Sequence, residues 1–280
     1  MRIIHTDIIK REAKRLIYDC SFFVPPEIKE IYSMMLTEED APLARQSLSI
    51  ILENGEIASR EEIPLCQDCG SVIFFLEIGQ DVHIEGSSLY DALNEAVACA
   101  YQKHYLRKSI VSDPLRRVNT GTNTPSFIHI DIVDGDKISL HVLLKGGGSE
   151  NASALRMFRP TDSIDSIISF IEEVIVKAGP NPCPPIFLGI GIGGTADVAM
   201  VNSKKALLRP IDAPHCDPFY AELEERIKVT LNKTGVGPLG FGGKNTVAAV
   251  FIKEAPTHIA SLPVALNLNC HSFRKGGIVI

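Results

Sequence analysis

The sequence predicts an α+β fold: an N-terminal helical part, then a mixed part around a small, largely antiparallel sheet. Residues 1–60 place apolar side chains at helical spacing. Residues 127–144 alternate apolar and polar side chains on both sides of a turn, the period of strands. Apolar runs and one strongly periodic helix follow, with no linker, internal repeat or charge run to divide them. Residues 1–280 are therefore expected to form a single domain, 1–60 mainly helical and 61–280 mixed.

The elements follow in order. Residues 3–20 carry Ile9, Ala13, Leu16, Ile17 and Cys20 on one helical stripe. Pro25 and Pro26 open a second helix with Ile28, Ile31 and Met35 on one side, and a third is expected from Pro42 to Asn54, ending near Gly55. The turn-rich IPLCQDCGS leads into an apolar strand, Val72 to Ile78. Ser87 or Ser88 caps the next helix, whose inward residues are Leu89, Leu93, Val97 and Tyr101. Ile128, Ile130 and Ile132 face Ile138, Leu140 and Val142 across Asp134-Gly135-Asp136, which predicts an antiparallel hairpin.

After Lys145-Gly146-Gly147-Gly148, Ser149 can start a helix. Ile164, Ile168, Ile171 and Ile175 define a helix over 163–178. The loop GPNPCPP, a strand over 186–192 and a helix capped by Thr195 come next. A helix over about 217–233, the loop GVGPLGFGGKN and two apolar runs, Val247–Ile252 and Ile259–Leu268, complete the pattern.

Composition narrows the function. With 45% apolar and 22% charged residues the chain reads as an ordinary globular protein. No apolar run reaches the roughly 18 residues of a membrane span. MRIIHTDIIKREAKRL lacks the apolar core of a signal peptide, so a cytoplasmic protein is expected. A net charge of −6 without a basic stripe argues against nucleic acid as partner, while a small anionic substrate needs only local positive charge. Seven cysteines in such a chain argue against a disulfide framework.

Cys66, Cys183 and Cys270 stand out by their neighbours. Cys66 follows Pro64-Leu65, Cys183 lies between Pro182 and Pro184-Pro185, and Cys270 ends an apolar run. Rigid, loop-borne thiolates of this kind can ligate a metal cluster, and spacing alone leaves unligated thiols as the other reading. Two further motifs are set aside. Glycines at 189, 191, 193 and 194 miss the G-x-G-x-x-G spacing of a dinucleotide loop. Cys66-x-x-Cys69 has no second C-x-x-C to complete a zinc site.

The segments IPLCQDCG, VNTGTNTPSFIHIDIVDGDKISLHVLLKGGGSENAS, NPCPPIFLGIGIGGTADVAMVNSKKALLRPI, GVGPLGFGGKNTVAAVFIK and HIASLPVALNLNCHS resemble class I iron–sulfur fumarate hydratases and the related L(+)-tartrate dehydratases. The resemblance spans nearly the whole chain from about residue 30, with its motifs in order. It implies that Cys66, Cys183 and Cys270 bind three irons of a [4Fe–4S] cluster whose fourth iron meets the substrate. It places Gln67, Asp68, Arg107 and one of Gly147 and Gly148 at the substrate, and His258 on a substrate carboxylate. Asp68 and His258 are then the candidate catalytic groups. Arg107 suits a carboxylate because guanidinium pairs in bidentate fashion.

In single-chain members a second domain continues from about the end of this sequence. The resemblance therefore implies an α subunit that works with a separate β subunit, in an α2β2 assembly. The implied reaction is the reversible dehydration of (S)-malate to fumarate, favoured by the form of KGGGSEN, with L(+)-tartrate as the alternative substrate. A non-catalytic iron–sulfur or assembly subunit is the alternative of another class. Relatives usually carry threonine where this chain has Cys69; a cysteine there is read as a small polar replacement that could expose the site to oxidation.

Overall fold

A computed structural model describes residues 1–280. It has the expected α+β composition, with three sheets in place of one. The chain forms two compact units, each assembled from separated segments. The first contains Met1–Val24, Ile57–Gly147 and Arg274–Ile280; the second contains Pro25–Glu56 and Gly148–Phe273.

The first unit opens with β1 (Arg2–His5), paired in parallel with β3 (Val82–Glu85). The expected helix thus begins at Thr6, as α1 (Thr6–Phe22), and its predicted stripe Ile9, Ala13, Leu16, Ile17 and Cys20 is buried throughout. Beneath it lies a four-stranded mixed sheet in the order β10 (Lys275–Val279), β5 (Ile138–Lys145), β2 (Ser71–Gly79), β4 (Phe127–Val133). Helix α4 (Leu89–Lys103) packs beside α1, burying Leu93, Val97 and Tyr101 as predicted, and Ser88 stands at its N-cap without a side-chain capping bond. The core joins α1 and α4 to Val72, Phe74, Leu76, Leu140, Val142 and Leu144 of the sheet.

One expectation here is overturned. Residues 127–144 do form two strands, but they are not a hairpin. β2 lies between them, parallel to β4 and antiparallel to β5. Alternation identifies a strand and its inner face without naming its neighbour. β2 is buried from Val72 through Leu76 and so takes a central place, while β4 is left as a largely exposed edge.

The second unit holds α2 (Pro26–Glu38) and most of α3 (Pro42–Glu61), so α1 and α2, neighbours in sequence, belong to different units. Helix α3 does not stop at Gly55. A glycine inside a helix costs about 1 kcal/mol, and residues beyond it, such as Ala58, are buried and carry the helix on. A second mixed sheet runs β6 (Ala154–Phe158), β9 (Leu262–Asn269), β7 (Ile186–Gly193), β8 (Val247–Ala255). The run expected to start at Ile259 becomes a strand only at Leu262, because residues 258–261 close a turn in which Ser261 N–H donates to His258 O at 2.8 Å.

Helices α6 (Ile164–Ala178) and α8 (Pro218–Asn232) cover one face, sharing a core with Leu188, Ile190, Val250, Ile252, Leu266 and Leu268. Helix α7 (Ala196–Ala206) covers the other and lies on the β7 backbone. A Cβ on Gly189 would stand 2.0 Å from Ser203 O, and one on Gly191 2.0 Å from Ala199 O. The alternating glycines of β7 thus admit a helix at close range, which accounts for the glycine run without a dinucleotide. Thr195 stands at the N-cap of α7 as predicted, its hydroxyl donating to Asp197 Oδ1 at 2.5 Å rather than capping the backbone. A single helical turn, α5 (Gly147–Glu150), includes the expected Ser149 but starts two residues earlier. No helix is long and apolar enough to cross a membrane.

Candidate active site

In the first unit the loop after α3 carries Cys66, Gln67 and Asp68. Leu65 anchors it, buried and donating its N–H to Ser21 O at 2.9 Å. Cys66 is half-buried, and its thiol donates to Oε1 of the exposed Gln67 at 3.3 Å. Asp68 Oδ1 accepts the Gly70 N–H at 3.0 Å, the local turn that a loop aspartate commonly makes. Its Oδ2 accepts the Gly147 N–H at 2.7 Å. Two residues picked out from separate motifs are therefore in contact, and the cysteine loop is fastened to the glycine turn after β5.

Gly70 fits only as glycine, since its φ is +80° and a Cβ would lie 2.9 Å from the Lys145 backbone. Tyr101 seals the loop from below: its buried hydroxyl lies 2.8 Å from Cys69 O and 2.9 Å from Gly70 O. Burial pushes the Tyr101 hydroxyl well above the usual range. Asn123, fully buried, donates to Gly70 O at 3.2 Å and accepts the Ser109 N–H at 2.7 Å.

Cys69 has a structural task that the sequence did not disclose. Its sulfur accepts the Arg107 N–H at 3.1 Å and lies 3.7 Å from Cys66 O. It ties the backbone of Arg107 to the cysteine loop and leaves the guanidinium exposed. Only 2% of Cys69 is exposed, and burial raises its thiol pKa. Both effects make it a poor target for oxidants, contrary to the expectation of a vulnerable replacement.

The second unit carries Cys183, Cys270, His258 and Gly148. Cys183 is exposed and holds a left-handed backbone, φ +53°, which is costly for a residue with a Cβ. It is held there by the loop that follows Cys270: the Cys183 carbonyl accepts the His271 N–H at 3.1 Å and faces His271 Nδ1 at 3.1 Å. His271 is in turn fixed by the buried Tyr32 hydroxyl donating to its carbonyl. Two predicted ligand loops are thereby joined directly.

Gly148 is exposed and packed against the Cys183 loop, where a Cβ would meet Asn181 O at 2.6 Å. A pocket of about 280 Å³ opens beside it, lined also by Asn151, Ser153 and Lys177. His258 is exposed on the β8–β9 turn, and its Nδ1 accepts the Ala260 N–H at 3.1 Å. In the neutral ring this leaves the proton on Nε2 as a donor.

His271, Tyr32, Asn269 and Arg274 did not stand out in the sequence, where a histidine next to a cysteine and polar residues at the end of an apolar strand were the only signals. Neither unit by itself gathers three His, Cys, Asp or Glu side chains as a metal-binding group. The donors in the second unit nonetheless suit an iron–sulfur cluster. Both cysteines are at least partly exposed and their loops are fixed to each other. Beside Cys270, Asn269 Oδ1 accepts the Cys270 N–H at 3.0 Å, while its fully buried Nδ2 has no partner. A buried amide without an acceptor is costly, and N–H donors around a cluster serve its sulfurs in this way.

A family model described as fumarate hydratase (fumerase) matches residues 10–279. The chain belongs to the fumarate hydratase family. Members of this family are hydro-lyases. A protein of Methanocaldococcus jannaschii, provisionally named L(+)-tartrate dehydratase subunit alpha, is 39% identical over 267 residues, covering 93% of each chain. The L(+)-tartrate dehydratase subunit alpha of Escherichia coli O157:H7 is 32% identical over 261 residues, covering 92% of this chain and 86% of its own. That of Escherichia coli K12 is 31% identical over the same length and shares. Within a fumarate hydratase family member, the Asp68–Gly147 and Cys183–His271 contacts fall on the segments where the resemblance placed substrate and cluster.

Proposed function

We propose that this chain is the α subunit of a two-subunit [4Fe–4S] hydro-lyase that interconverts (S)-malate with fumarate and water. The observation that carries the reading is the bond between Asp68 and Gly147, because it gathers Cys66, Gln67, Asp68 and the glycine turn in one unit, with Arg107 tied to them through Cys69. Cys66, Cys183 and Cys270 would hold the cluster, and the cluster when bound supplies a Lewis-acidic iron that takes up the charge of the departing hydroxyl.

The other groups act on the dicarboxylate. The exposed Arg107 guanidinium pairs with one carboxylate in bidentate fashion. His258 donates Nε2–H to a carboxylate oxygen, its ring held by the Ala260 amide. Asp68 keeps a free lone pair on each oxygen beyond the two amides, enough to accept and orient the substrate hydroxyl hydrogen. Gln67 and the exposed Gly147 and Gly148 border the same substrate. The C3 proton goes to a base from the partner subunit, so the α chain alone is inactive, and the assembly is α2β2.

A second reading takes L(+)-tartrate as substrate, favoured by the names of the relatives above. Anaerobic co-expression with a candidate β subunit tests both. Iron and sulfide should be present near four of each per α chain, with hydration of fumarate on the same sample. Turnover of tartrate but not malate would move the reading to the second substrate. A colourless complex without iron that dehydrates neither would end it.

A further inference from the structure

Arg274 presents an anomaly in the first unit. It precedes β10 and only 3% of it is exposed, yet its Nε has no hydrogen-bond partner. Guanidinium stays charged at any physiological pH, and a buried charge without its counter-ion is among the costliest arrangements in a protein. Its surroundings locate the charge. The space that a Gly146 side chain would fill is bordered by Arg274 Nη2 at 3.7 Å and by Asp68 Oδ2 at 3.3 Å. The Arg274 charge is also felt by Cys69 and Tyr101, whose ionisation it favours against the effect of burial.

Asp68 does not neutralise it by direct contact. Its hydrogen bonds go to the backbone amides of Gly70 and Gly147, and it makes no ion pair with Arg274. The position beside Gly146, free of a side chain, is thus bordered by both the buried cation and the Asp68 carboxylate. We infer that Arg274 is a second substrate-binding cation, which receives one carboxylate of the hydroxy-dicarboxylate at Gly146 while Arg107 receives the other. This rests on the hydro-lyase reading and deepens it. A C4 dicarboxylate carries two negative charges, and a buried guanidinium on one of them fixes its orientation more firmly than an exposed arginine can.

The test uses the anaerobically prepared α–β complex carrying Arg274→Met or Arg274→Lys. Three quantities are read: KM and kcat for malate and tartrate, the malate-induced change in the EPR signal of the dithionite-reduced cluster, and the ligand-free EPR signal of the reduced cluster with iron content. Arg274→Met should raise KM, and the malate concentration that half-saturates the EPR change, by about 10- to 100-fold. Arg274→Lys should recover part of this, with iron content and the ligand-free signal as in the parent. A folded, iron-replete Arg274→Met complex with KM within about threefold of the parent overturns the inference. So does a changed ligand-free signal with unchanged malate saturation, which would assign the charge to the cluster. If the methionine variant does not fold, parental saturation in Arg274→Lys overturns it equally. Failure of the parent complex itself to bind iron or turn over either substrate would identify the hydro-lyase reading as the fault, and would take this inference with it.

Discussion

Asp68 Oδ2 accepts the amide of Gly147 at 2.7 Å, across 79 residues of sequence. One carboxylate thereby sets the distance between the loop that carries Cys66 and the glycine turn after β5. Removing it should disturb structure and chemistry in separable ways.

Asp68→Asn keeps the shape of the side chain but can turn an NH2 group toward an N–H. A loss of about 1–3 kcal/mol in unfolding free energy is expected, measured by denaturant titration of the isolated chain. Turnover of the complex should fall more than a hundredfold, well beyond what the stability change would remove from a folded sample. Parental turnover in a folded Asp68→Asn complex would discard its role at the substrate.

Cys69→Ala leaves the Arg107 N–H without its sulfur acceptor at a buried site. The expected cost is about 1–2 kcal/mol in stability together with a raised KM, since the backbone that carries Arg107 is loosened. Cys69→Ser and Cys69→Thr, which restore an acceptor, should recover both. Equal behaviour of the alanine and serine variants would argue that the sulfur contact is incidental.

Gly148→Ala places a methyl group 2.6 Å from Asn181 O, two residues before Cys183. The Cys183 loop must move, and less iron should be retained after gel filtration than in the parent. Gly191→Ala, with its clash at 2.0 Å against α7, tests the fold instead and should cost about 3 kcal/mol or more. Iron content in Gly148→Ala equal to the parent would detach this glycine from the cluster loop.

The stability of the chain should fall in alkali. Burial raises the Cys20 thiol from 9.0 to about 12 and also raises the hydroxyls of Tyr101 and Tyr32. A group with a raised folded pKa keeps its proton in the native state while the unfolded chain releases it. Its contribution is complete below pH 9 and is lost as the pH rises toward 12, by up to about 1.4 kcal/mol per pH unit and group. Urea midpoints from pH 8 to 11 should decline, and Cys20→Ala should decline less steeply. A flat parental profile would contradict the burial of these groups.

Much of the fold was legible because burial has a period. The stripe of α1, the inward residues of α4 and the strands at 71–79 and 186–193 follow from apolar spacing alone. The five segments that carry the family resemblance also pointed to Cys66, Asp68, Gly147, Cys183, His258 and Cys270 one at a time. Their contacts were not legible, because a hydrogen bond between residues 68 and 147 leaves no local pattern in either segment.

The sequence by itself determined the types of the longer elements, the α+β class and the family, since each depends on local spacing or on residues that stand in a fixed order. Tertiary structure decided which strand lies beside which, that Asp68 meets Gly147, that Cys69 holds Arg107 and that His271 holds Cys183. It also decided that Arg274 is a buried charge rather than a surface one. Those outcomes depend on how whole faces compete for burial and how distant backbone groups find partners, and neither is a property of any one stretch of residues.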